Sequence, residues 1–60
     1  MQKRIPVSKP SADLTQVFEQ TFTEPEPYTV IRYVTAHGKV FEREECRSRG
    51  VVWYQVTEGN

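Results

Sequence analysis

Cys46 and the serines Ser8, Ser11 and Ser48 are the side chains that could serve as nucleophiles, and His37 is the only histidine available as their base. His37 falls in Ala36-His37-Gly38-Lys39, which reads as a hairpin tip. At a tip, solvent surrounds the imidazole and no apolar wall tunes it. Cys46, between Glu45 and Arg47, reads as a small packing residue rather than a reactive thiol. Glu44 and Glu45 are adjacent, so their carboxylates point apart and make a poor acid–base pair. Gly38, Gly50 and Gly59 are isolated, which leaves no glycine-rich loop to cradle a phosphate. Cys46 and His37 are two soft ligands where a structural zinc site takes four. These residues argue against an enzyme, a metal centre and a bound cofactor. A pocket of ~300 Å³, near the lower bound for small-molecule sites, is also a large demand on 60 residues.

The arginines carry more information. Arg43, Arg47 and Arg49 cluster before Gly50, and Arg32 lies in the strand-like run Tyr28 to Thr35 with Tyr33. Interfaces between proteins favour aromatic residues and arginine. The expected partner-binding set is therefore Arg43, Arg47 and Arg49 as polar anchors, with Arg32, Tyr33 and Trp53 as sheet-face contacts. The alternative is DNA or RNA binding, in which the same arginines meet phosphates and Lys3, Arg4, Lys9 and Lys39 follow the backbone. Tyr33, Trp53 and Tyr54 would then be stacking platforms. Against it stand Glu42, Glu44 and Glu45, interspersed among those arginines, and a formal net charge of zero. Protein–protein binding is the reading that fits most features.

The elements that must hold these side chains follow from composition. Val occurs eight times and Thr six, against one Leu and one Met, a bias toward pleated, half-buried surfaces. Tyr28 to Thr35, Lys39 to Arg43 and Val51 to Thr57 read as strands, the first two joined by a turn at Gly38. Leu14, Val17, Phe18, Thr21 and Phe22 recur at spacings of three and four, which predicts a helix over 12–22 with Ser11 as its cap. The competing pattern is Gln16-Phe18-Gln20-Phe22, which alternates as a strand would. Residues 44–49 read as a short helical turn in which Glu45 pairs with Arg49 and Gly50 caps the end. The expected class is α+β: a small antiparallel sheet of about three strands (28–35, 39–43, 51–57) with one helix on one face.

Residues 1–10 hold Lys3, Arg4 and Lys9 with Pro6 and Pro10, and read as a flexible basic arm before a single domain over 11–60. A chain this short buries only about 60% of its unfolded surface and usually needs a staple. One cysteine closes no bridge within the chain, so aromatic packing or a second subunit must take that part. Both faces of the expected sheet are partly apolar and one helix covers only one, which points to a homodimer or another protein partner. An unpaired cysteine and the lack of a signal-like apolar run favour a cytoplasmic setting; no run approaches a membrane span. Size alone suggests a regulatory or accessory protein of the kind carried by a phage, prophage or plasmid.

Overall fold

A computed structural model describes residues 2–11 and 13–58. Its strands are β1 (Gln2–Val7), β2 (Thr15–Phe22), β3 (Tyr28–Val34), β4 (Val40–Cys46) and β5 (Gly50–Glu58). All neighbours are antiparallel, in the order β1-β5-β4-β3-β2. The described residues contain no helix, so the fold is all-β and the α+β expectation is corrected.

The expected helix over 12–22 is strand β2 from Thr15 onward; Ala12 lies outside the described residues. The reason for the misreading is a bulge. Gln16 pairs with Tyr33 and Phe18 with Arg32, which leaves Val17 as an extra residue opposite no partner. That insertion shifts the alternation by one and places apolar Val17 beside apolar Phe18, so a strand acquires helix-like spacings. Beyond the bulge, Phe18, Gln20 and Phe22 share one face and Glu19 and Thr21 the other, as a strand requires, while Gln16, before the bulge, lies on the face opposite Phe18.

The expected helical turn over 44–49 is also corrected. Glu44, Glu45 and Cys46 complete β4, and 47–49 form the loop into β5, with Cys46 paired to Gly50. Gly50 has φ +69, a backbone conformation that closes so short a loop and that L side chains rarely adopt. The β3–β4 loop is longer, 35–39, and also uses a glycine at positive φ, Gly38 at φ +82. There the Gly38 N–H donates to the Thr35 carbonyl at 3.0 Å, and the Thr35 hydroxyl accepts from the backbone N–H groups of His37 and Lys39.

The three expected strands are present as β3, β4 and β5 within a few residues, but they are the interior of the sheet. Its edges are β1, drawn from the segment expected as an arm, and β2. No described side chain is less than 2% exposed, and the buried apolar set is Phe41, Cys46 and Val56. A lone sheet has no second layer against which to bury a face.

Candidate functional site

Cross-strand partners share a face and successive residues alternate, so the register sorts the side chains. One face, here the carboxylate face, carries Glu42 and Glu44 at its centre on β4, with Arg4, Arg32 and Tyr54 around them. The other, the tryptophan face, carries Phe41 and Arg43 on β4, flanked by Ile31 and Tyr33 on β3, Val51 and Trp53 on β5, and Ile5 and Val7 on β1.

Glu42 and Glu44 are 7% and 8% exposed, and every carboxylate oxygen lies within ion-pair distance of an arginine nitrogen. Arg4 Nε lies 2.8 Å from Glu42 Oε1, and Arg4 Nη2 lies 3.3 Å from Glu44 Oε2. Arg32 donates twice to Glu42 Oε2, at 3.1 Å from Nε and 2.8 Å from Nη2. Arg49 Nη2 donates to Glu44 Oε1 at 2.6 Å. The Arg4 guanidinium also sits 4.1 Å above the Tyr54 ring, a cation–π contact. Strand alternation explains the pairing. Glu44 and Glu45 face opposite ways, so Arg49 meets Glu44 and not Glu45, while Glu45 bonds Arg43 at 3.2 Å on the tryptophan face.

Arg49 Nε also reaches the Cys46 thiol at 3.4 Å, and that hydrogen bond holds the thiol below its ordinary value. The Ser48 hydroxyl donates to Glu26, tying the β4–β5 loop to the bend after β2. Phe22 and Tyr28 stack at 4.8 Å, and with Phe18, Val30, Arg4 and Arg32 they wall an open groove of about 440 Å³ over the two carboxylates. Residues from both edge strands line that groove, with the Arg4 side chain reaching across β5 from β1.

On the tryptophan face the rings of Tyr33 and Trp53, from the strands either side of β4, meet above it at 5.5 Å. Phe41, paired with Tyr33, is buried. Ile5 is 48% exposed and Val51 44% exposed on the same face. The six residues expected to bind a partner are thus divided. Tyr33, Trp53 and Arg43 share the tryptophan face; Arg32 and Arg49 are engaged with carboxylates on the other; Arg47 lies in the exposed β4–β5 loop. Of the residues proposed for phosphate, Arg4 is bound to Glu42 and Glu44, Lys3 is on β1, Lys9 on the β1–β2 connection and Lys39 at the β3–β4 loop. His37 is in that same loop, away from Cys46. The buried role of Glu42 and Glu44 was missed from sequence, although Val40-x-Glu42-x-Glu44-x-Cys46 places two acids in an otherwise apolar alternation.

The chain matches no family model, no curated protein and no solved structure. No helix among the described residues is long and apolar enough to cross a membrane.

Proposed function

We propose that this chain is a non-catalytic binding module that presents its tryptophan face to the surface of another protein. The observation that carries the reading is the single-layer sheet in which no described side chain is less than 2% exposed. The choice of face follows from desolvation. Covering the carboxylate face would strip water from the half-exposed guanidinium groups of Arg4, Arg32 and Arg49, an unfavourable desolvation before any recovery. The tryptophan face has one charged side chain at its centre, Arg43, bonded to Glu45, and aromatic and aliphatic side chains around it. Tyr33 and Trp53 are the expected anchors, with Ile5, Val7 and Val51 around them. A cytoplasmic setting, favoured by the unpaired Cys46, belongs to this reading. Nucleic-acid binding through the arginines is disfavoured, because Arg4, Arg32, Arg43 and Arg49 are all bonded to carboxylates.

Photo-crosslinking in the producing cell tests the face. A photoreactive side chain at Ile5 should give protein adducts, whereas the same group at Phe18, on the opposite face, should give few. Adducts at Phe18 alone, or at neither position, would overturn the reading.

A further inference from the structure

We infer that the protein surface seated on the tryptophan face is a second copy of this chain, packed face to face about a two-fold axis. This deepens the docking reading and rests on it.

Area supports it first. The chain exposes 4611 Å². A folded monomer of 7.0 kDa should expose roughly 4,000 Å², so about 600 Å² is in surplus. A face of five strands, ~4.8 Å apart and about seven residues long, covers a similar 550–600 Å². Two such faces bury roughly 1,100 Å² together, just past the ~1,000 Å² that a specific interface needs.

Charge is the second argument. The tryptophan face holds Lys3 and Arg43 against Glu19 and Glu45, two of each sign, with Arg43 and Glu45 paired to each other, so two such faces meet without net repulsion. The chain's formal net charge is zero, and copies do not repel one another at long range.

The edges are the third. Strand β1 carries Pro6, which has no N–H to offer a neighbouring strand, and β2 carries the Val17 bulge and Glu19. Both features blunt edge-to-edge addition, which leaves the face as the route to a partner. A two-fold pairing of faces closes on itself, with both copies covered alike.

Sedimentation equilibrium of the intact chain, from about 1 to 100 μM, reads the outcome directly. Twice the 7.0 kDa chain mass is expected for the native protein. Trp53→Glu and Ile5→Lys should each weaken association at least tenfold, and Phe18→Lys should leave it unchanged. Ile5 is an exposed edge residue, so its variant keeps the test valid if Trp53→Glu fails to fold. A folded 7.0 kDa species across the range would overturn the second copy, as would a dimer lost on Phe18→Lys and indifferent to Ile5→Lys. Adducts of the Ile5 photoprobe separate the two levels. Adducts with other proteins but not with itself overturn only the self-pairing, whereas no adduct at all removes the docking face as well.

Discussion

Glu42 and Glu44 sit two positions apart on the central strand, side by side on one face, and are stable there only because three arginines converge on them from β1, β3 and the β4–β5 loop. Removing one carboxylate leaves guanidinium groups unpaired over a partly apolar surface. Those guanidinium groups remain more than a third exposed, so water offsets part of the loss. Glu42→Ala should therefore cost about 2 kcal/mol in urea unfolding, below the 3–5 kcal/mol of a fully buried pair. Glu45→Ala, at a pair exposed in the single chain, should stay within about 0.5 kcal/mol when measured at a concentration where the copies are separate. The Arg49–Cys46 contact makes a second expectation. Arg49 stabilises the thiolate, so Arg49→Ala should move Cys46 titration up toward the ordinary thiol value, read from the pH dependence of alkylation. A lowered thiol pKa contributes stability that is fully present above the ordinary thiol value of ~8.5 and is lost as pH falls through the lowered value. The stability gap between the native chain and Cys46→Ser should accordingly widen with rising pH across that window.

Two short loops hold β3, β4 and β5 in register, each with a glycine at positive φ: Gly38 within the first and Gly50 at the start of β5. Space is not the constraint, since a Cβ at Gly38 or Gly50 would meet nothing within 4 Å. The cost is the backbone conformation itself. Gly38→Ala should destabilise by about 1–2 kcal/mol in the same unfolding measurement, with no change in the Tyr33–Trp53 packing. Strands β3 and β5 were legible because they are dense in Val, Thr and aromatic residues, and the first part of β4 because the turn at Gly38 returns the chain from β3. Strand β2 was not, because the bulge at Val17 breaks its alternation, and nothing local tells a bulged strand from an amphipathic helix. Segment 44–49 was misread for a related reason. Its charges suit a helical turn, but Glu44 and Cys46 complete an alternating face that pairs with β3 and β5.

The described residues bury only Phe41, Cys46 and Val56 among apolar side chains, and the proposed dimer would couple assembly to folding. If the face-to-face dimer is the folded species, unfolding releases two chains and stability depends on concentration. A tenfold increase in protein should then raise apparent stability by about 1.4 kcal/mol and lift the Tm, measured by circular dichroism at 222–230 nm or by Trp53 fluorescence. A Tm independent of concentration would mark the lone sheet as self-sufficient.

Composition and spacing were enough to read the β-rich character, three of the five strands and the turn at Gly38. These are properties of short stretches and are written in adjacent residues. Which strands lie at the edges, and which arginines are spoken for, depends on register between segments far apart in the chain. Arg4 meets Glu42 and Glu44 across some forty positions. Tyr33 and Trp53 meet only because β4 separates their strands. Pairings of that range arise when antiparallel strands align their backbones, and alternation then sends each side chain to one face or the other.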